Sequence, residues 1–202
     1  MRRKILAVGA WLAVALIAAG ISPARGRAAG RRHAIPVGWH DEMDDPATWK
    51  PREGGMPPDI FARRPGVLTL RLAHVPEGYP FSYQWGGVTR SASVDLGRYP
   101  VLAAHFPRVQ SGSYCHLDVE QLDYSGRPVH TLRTPTLQGP GLSVLDLGKE
   151  YGTYVRRLVL RINAGGALTG AECDCGWVRF VRREDLPLLQ EAPDWQAVEL
   201  KP

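Results

Sequence analysis

Alternating apolar and polar residues recur in short stretches along most of the chain after residue 66. Residues 68–72 read Leu-Thr-Leu-Arg-Leu, and residues 88–96 and 114–124 alternate in a similar way. A period of two predicts β-strands that bury one face. Short apolar or alternating stretches predict further strands at residues 81–85, 101–106, 129–132, 142–147, 156–162 and 177–181. Residues 186–191 favour a helical turn.

Turn-forming residues separate these stretches, since the chain holds 22 glycines and 17 prolines and has no long helical pattern. Eight or nine strands without intervening helices predict an all-β fold, an antiparallel β-sandwich of the jelly-roll type. We assign the sandwich domain to residues 67–183 and a C-terminal tail to residues 184–202. Prolines are frequent in residues 29–66, which predicts an irregular N-terminal arm that packs on the domain.

Residues 1–28 have the layout of a secretory signal peptide. Basic residues at 2–4 precede an uncharged stretch at 5–21, and small residues follow. We therefore expect a secreted or periplasmic protein, with cleavage of the leader after Ala24 or Ala28 and no membrane contact afterwards. A retained anchor is the alternative, because the uncharged stretch is near the lower limit for spanning a bilayer.

The positive charge of the chain belongs to its leader. The chain has 25 basic and 20 acidic residues, and five of the basic residues but none of the acidic ones lie in residues 1–28. The remainder therefore has 20 of each and a net charge of zero. With no excess of basic residues to attract a phosphate backbone, nucleic acid is not an expected partner.

Three cysteines follow the leader: Cys115, Cys173 and Cys175. An oxidising compartment and an odd count predict a disulfide from Cys115 to either of the other two, with one thiol left free. A metal site that joins His116 to the cysteines is the alternative, although the spacing matches no standard zinc pattern.

Strand parity collects polar side chains on one face of the predicted sheet. In residues 115–120, alternate positions are apolar, so the polar ones point to the other face. If the strands share a sheet, its non-core face carries His105, His116, Asp118, Glu120, Arg157 and Arg161. An ordinary solvated face with cross-strand ion pairs is the alternative.

Tyr83 and Trp85 are the candidate aromatic platform for this face. Counted without a bulge, they share parity with the polar residues Thr89 and Ser91. A bulge at residues 86–87, which are both glycine, would instead turn the two aromatic rings into the core.

Four segments resemble a known family. They are residues 39–49, bracketed by Trp39 and Trp49, and residues 90–96, 99–102 and 176–180. In this order they are similar to galactose-binding-like jelly-roll domains, including carbohydrate-binding modules of secreted glycosidases, over residues 39–182. The resemblance implies a glycan-binding module without catalytic activity, with a polysaccharide as ligand and an enzyme or an envelope protein as a further partner.

The sequence predicts no cofactor, although the resemblance implies the possibility of a structural calcium ion. Glu42, Asp44 and Asp45 match the acidic residues of the opening segment, and Asp174 is the nearest carboxylate to the last strand. The family tends to place an acidic residue where this chain has Gly176, which departs from the pattern.

Two other functions are compatible with the sequence. One is a structural or protein-interaction domain of the cell envelope, with no small ligand. The other is a small glycosidase or lyase that uses Asp118 and Glu120, because residues two apart on a strand can present two carboxyl groups at about the 5 Å that retaining glycosidases need.

Overall fold

The computed structural model describes residues 34–53, 55–74, 83–123, 125–151, 157–167, 169–191 and 196–199. Fourteen β-strands make up most of these residues. The strands are β1 (Ala34–Asp41), β2 (Lys50–Pro51), β3 (Asp59–Arg64), β4 (Val67–Leu72), β5 (Tyr83–Ser93), β6 (Val101–Phe106), β7 (Arg108–Val109), β8 (Ser113–Leu122), β9 (Pro128–Arg133), β10 (Gly141–Asp146), β11 (Arg157–Ala167), β12 (Ala171–Cys175), β13 (Trp177–Val181) and β14 (Gln196–Glu199). Two short helices, α1 (Leu147–Glu150) and α2 (Leu186–Glu191), accompany 3-10 turns at Pro46–Thr48 and Arg183–Asp185.

The strands form three sheets. Sheet A has the order β10-β6-β13-β1-β14, sheet B has β2-β5-β11-β8-β9, and sheet C has β3-β4-β12-β7. The described pairs are antiparallel except β1 with β14, which is parallel. Strands that follow each other in the chain repeatedly change sheet, as in a sandwich of the jelly-roll type.

Sheets A and C are continuous, because the pairing of β6 with β13 in sheet A continues into the pairing of β7 with β12 in sheet C. His105 lies opposite Trp177, and Val109 lies opposite Cys173 in the same register. The Gly176 amide donates to the His105 carbonyl at 2.9 Å between these positions, and Pro107 separates β6 from β7. The two sheets thus form one bent layer.

Side chains from all three sheets share one apolar core. It includes Phe106 and Phe180 of sheet A, Leu117 and Ile162 of sheet B, and Leu70 of sheet C, all fully buried. A smaller apolar cluster lies on the other side of sheet A: Ile35, Val37, Val101, Ala103, Trp177, Val181 and, from α2, Leu189. Sheet A is therefore buried on both faces, whereas sheet B has one face left for a site.

The predicted all-β class and sandwich architecture are confirmed, and the helical turn at residues 186–191 is α2. The strand count exceeds the predicted eight or nine, because several strands are short. The interpretation of residues 29–66 as irregular is wrong for its described part, since β1 is an inner strand of sheet A and β3 pairs with β4. Likewise β14, in the predicted tail, belongs to sheet A.

The predicted strands at 81–85 and 88–96 join into one strand, β5, which ends at Ser93 and pairs with β11 in an uninterrupted register through Gly86 and Gly87. Residues 81–82 lie outside the described residues, as does the predicted signal peptide at 1–28, so export stays a prediction. In the part of the chain that the structure describes, no helix is both long and apolar enough to cross a membrane.

Candidate ligand-binding site

The outer face of sheet B carries polar and aromatic side chains in rows. Residues of β8 alternate, so Cys115, Leu117 and Val119 enter the core while the residues between them face outward. The registers of β5, β11 and β8 define three rows in that order: Trp85-Gly165-Tyr114, Gly87-Asn163-His116 and Thr89-Arg161-Asp118. These rows place two aromatic rings beside a polar floor.

Asp118 organises the polar floor. Its Oδ1 accepts from Arg133 Nε at 2.8 Å, and its Oδ2 accepts from Asn163 Nδ2 at 3.0 Å and from Arg52 Nη1 at 3.1 Å. Arg52 Nη1 also donates to Asn163 Oδ1 at 2.6 Å. Since Asp118 is 1% exposed, a buried carboxylate holds two guanidinium groups and one amide in place.

These contacts control two pKa values. Burial alone would raise the pKa of Asp118, but the hydrogen bond from Arg133 and the charges of His116, Arg133 and Arg52 hold it below its ordinary value. Burial lowers the pKa of His116, and the Asp118 charge opposes this only in part. The floor therefore presents an ionised Asp118 and a neutral His116 at neutral pH.

A cleft of about 460 Å³ opens above this floor. Its lining consists of Arg52, Trp85, Tyr114, His116, Arg133, Thr136, Gln138 and Asn163. Trp85 is 38% exposed, and the Arg52 guanidinium lies 5.0 Å from the centre of its ring. An indole that is held against a cation and is still more than a third exposed is a rigid platform for a flat apolar surface.

Tyr114 forms the other aromatic wall. Its ring stacks on the His116 imidazole, with centroids 6.1 Å apart and planes 6° from parallel. The ring also lies over Gly165, where an added Cβ would be 2.3 Å from the Tyr114 hydroxyl. Glycine is therefore required at position 165 if the ring is to lie flat across β11.

Beside the cleft, Arg161 and the buried carboxylate of Glu120 form a second ion pair. Glu120 is 5% exposed. Each carboxylate of the predicted polar face is thus paired with a guanidinium group, which explains how side chains expected to be solvated can be buried.

The predicted site residues differ in their position relative to the cleft. Trp85 and His116 line the cleft, Asp118 lies beneath it, and Glu120 and Arg161 lie beside it. Trp85 faces outward because β5 has no bulge, so the count without a bulge is the correct one. The side chains of Tyr83 and Arg157 lie outside the described residues.

The prediction that His105 belongs to the polar face is wrong. This residue belongs to β6 in sheet A, where it packs against Trp177 with ring centroids 5.7 Å apart, and not to the polar face of sheet B. Parity along a strand gives the face of a residue but not the sheet to which the strand belongs. The polar contacts of the cleft that sequence reasoning missed come from Arg52, Arg133 and Asn163.

Three of the four acidic residues named for calcium, Glu42, Asp45 and Asp174, have another role. Glu42 accepts two hydrogen bonds from Arg179, at 2.8 and 2.7 Å, and Asp45 caps a 3-10 turn by accepting from the Ala47 amide. Asp174 accepts from Thr69 and Arg108. Within the described ranges, no three His, Cys, Asp or Glu residues come together as a metal-binding group.

The three cysteines are free and buried, which corrects the predicted disulfide. The hydrogen bond with Cys115 and burial raise the pKa of Cys173, and burial raises the pKa of Cys175. His116 points out of the sheet while the thiols point into the core, so the alternative metal site does not form either.

Comparisons with known proteins find no matching family profile and no matching curated protein. Solved structures do match. A family 61 carbohydrate-binding module in complex with β-1,4-galactotriose has 11% identity and a TM-score of 0.41, over 70% of this chain and 93% of that one. The CBM22-1 xylan-binding domain of Xyn10C from Paenibacillus barcinonensis has 14% identity and a TM-score of 0.38, over 74% and 99%. A family 30 carbohydrate-binding module has 11% identity and a TM-score of 0.37, over 74% and 96%. At these values the matches carry no argument about function, which rests on the cleft.

Proposed function

We propose that this chain is an exported glycan-binding module that holds a saccharide in the cleft of sheet B without making or breaking bonds. The observation that carries the proposal is the pairing of an exposed Trp85 and a flat-lying Tyr114 with a floor of planar polar groups. Pyranose rings have an apolar face that packs on an aromatic ring, and hydroxyl groups that pair with guanidinium, amide and imidazole groups.

The rigidity of the floor supports binding. Asp118 fixes Arg52, Arg133 and Asn163 before any ligand arrives, so their side chains lose little further conformational freedom when a ligand binds. A preformed cleft with few well-placed polar groups is the usual form of a small-molecule site.

The same contacts disfavour a glycosidase that uses Asp118 and Glu120. A general acid must hold a proton near neutral pH, yet the pKa of Asp118 is lowered and its oxygens accept from Arg133, Arg52 and Asn163. Glu120 is occupied by Arg161. Export is part of the proposal because of the basic, apolar and small residues of the leader.

The test is a binding screen of the purified protein against soluble neutral and acidic polysaccharides by isothermal titration. We expect one class of polysaccharide to bind and Trp85→Ala to weaken binding by about thirtyfold, the usual effect of removing a central aromatic contact. Phe61→Ala is the matched control, because Phe61 is a partly exposed aromatic residue of sheet C, away from the cleft.

Two results would contradict the proposal. Folded protein that binds no polysaccharide would leave the cell-envelope interaction domain as the better function. Release of reducing ends from a bound polysaccharide, abolished by Asp118→Asn, would identify a glycosidase or lyase instead.

A further inference from the structure

The cleft and the ion pair beside it carry more positive than negative charge. Arg52, Arg133 and Arg161 face two carboxylates, which leaves a net charge of +1, and both carboxylates already accept from guanidinium groups. A ligand therefore finds hydrogen-bond donors here rather than acidic acceptors, and a negatively charged group would complete the charge balance.

Arg133 is the donor best placed to meet such a group. Its side chain is 61% exposed, and Nε is held by Asp118 at 2.8 Å. Among the described residues, its two terminal nitrogens have no protein partner. The guanidinium is thus fixed at one end and presents two parallel donors at the other, the arrangement that binds a carboxylate or a sulfate through two hydrogen bonds.

A second observation comes from His116. It is 6% exposed, lines the cleft, and its Nδ1 is a buried atom without a hydrogen-bond partner in the described chain. A buried ring nitrogen without a partner costs free energy until a partner arrives. A ligand hydroxyl is the partner that the cleft can admit beside Tyr114.

The aromatic platform, Trp85, and the cation, Arg133, are farther apart than the length of one sugar ring. Trp85 belongs to β5 and Arg133 to β9, which are three strand spacings apart in sheet B. At about 4.8 Å for each spacing, they lie about 14 Å apart across the strands, and Arg133 lies in the row of Thr89, four residues or about 13 Å further along. Their backbones are therefore about 19 Å apart. The cleft therefore suits an oligosaccharide that places one ring on Trp85 and a charged group of another ring on Arg133.

We propose that the ligand is an anionic glycan whose carboxylate or sulfate pairs with Arg133 while a ring of the same chain packs on Trp85. This inference rests on the proposed function and names the class of polysaccharide. Carboxylate and sulfate share the chemistry that Arg133 recognises, and the experiment separates them.

The experiment compares four polymers by titration: polygalacturonate, the same polymer with its carboxyl groups reduced to alcohols, a sulfated galactan and a neutral galactan. We expect an anionic polymer to bind and its uncharged counterpart to bind at least about tenfold more weakly, because a charge-assisted pair of hydrogen bonds is lost. Binding should also weaken as salt concentration rises.

Variants locate the contact. Arg133→Gln should weaken binding of the anionic polymer about tenfold, and Arg133→Lys, which keeps the charge but not the planar fork, should weaken it less. Arg127→Gln is the matched control, because Arg127 is an exposed arginine in the turn between β8 and β9, outside the cleft. Circular dichroism of each variant checks that it folds.

The outcomes distinguish the two proposals. Equal binding of the reduced or neutral polymer, still sensitive to Trp85→Ala, would overturn the anionic ligand and leave glycan binding intact. A loss on Arg133→Gln matched by Arg127→Gln would also overturn it. Preference for the sulfated polymer supports an anionic ligand and identifies the sulfate as its charged group. No binding of any polymer by folded protein would overturn both proposals.

Discussion

Replacing Asp118 by asparagine tests whether the buried carboxylate stabilises sheet B. The variant keeps the shape of the side chain but turns one acceptor oxygen into an NH₂ group. That group would face Arg133 on one side of the carboxylate, or Arg52 and Asn163 on the other, all of which are donors. At least one hydrogen bond is lost, and two guanidinium groups keep their charge without a counter-ion.

The structure sets the size of the effect. Removing one partner of a fully buried ion pair costs about 3–5 kcal/mol. Here Asp118 is buried but its partners are not, since the side chains of Arg133 and Arg52 are 61% and 22% exposed and solvent can compensate them. We therefore expect a loss of about 2 kcal/mol in the free energy of unfolding, or about 4–8 °C in Tm for a domain of this size.

Urea denaturation followed by tryptophan fluorescence measures this change, with Asp123→Asn as the control. Asp123 receives its three hydrogen bonds, from the Ser125 amide and hydroxyl and from the Arg127 amide, on a single oxygen that asparagine retains. We expect Asp123→Asn to shift the urea midpoint much less than Asp118→Asn, because Asp123 is exposed and its hydrogen bonds remain.

The effect of pH follows from the lowered pKa of Asp118. A carboxyl group with a lower pKa in the folded state stabilises the fold above its unfolded pKa, and this contribution is lost as pH falls through the folded pKa. The difference between Asp118→Asn and the unchanged protein should thus be largest near pH 7 and should shrink towards about pH 3. An equal urea midpoint for both proteins at neutral pH would refute the stabilising role, and a difference independent of pH would refute the electrostatic cause.

Three further predictions follow from the site and the core. Gly165→Ala should displace the Tyr114 ring and weaken glycan binding while the protein stays folded, whereas Gly139→Ala should change nothing, because no atom lies within 4 Å of the added carbon; titration of both variants with the same polysaccharide decides. The lowered pKa of His116 means that the unfolded chain takes up this proton first as pH falls, so stability is lost below the ordinary histidine pKa. His116→Gln should therefore reduce the shift of the urea midpoint between about pH 7.5 and 5.5, and an unchanged shift would contradict the burial argument. The three buried thiols should resist a thiol reagent in the folded protein and all react in urea, and a single reactive thiol under non-reducing conditions would instead restore the disulfide.

Period-two patterns revealed the strands of sheet B because that sheet buries one face only. They did not reveal β1 or β12. β1 lies in sheet A, which is covered on both sides and therefore lacks a clear alternation. β12 buries Glu172 and Asp174 together with apolar residues, because Arg71 of β4 pairs with Glu172 and Arg108 of β7 pairs with Asp174.

Strand parity in the sequence predicted only part of the polar site. Parity placed His116 and Asp118 on one face, but it could not place His105 in another sheet. Asn163 and Arg133 each follow directly after the end of a predicted strand, and strand ends are the least certain part of a prediction from pattern. Arg52 comes from a proline-rich segment, and only the folded chain brings it to Asp118.

The position of β1 has a consequence for the order in which the chain folds. β1 starts at Ala34, yet its two neighbours in sheet A are β13 and β14, which are synthesised long after it. Every backbone pair that β1 makes therefore closes a very long loop, and such contacts slow folding. Until the C-terminal strands have been synthesised, β1 has no strand to pair with, and its apolar residues stay open to aggregation. During synthesis, β1 can thus be incorporated into sheet A only after β13 or β14 has been made.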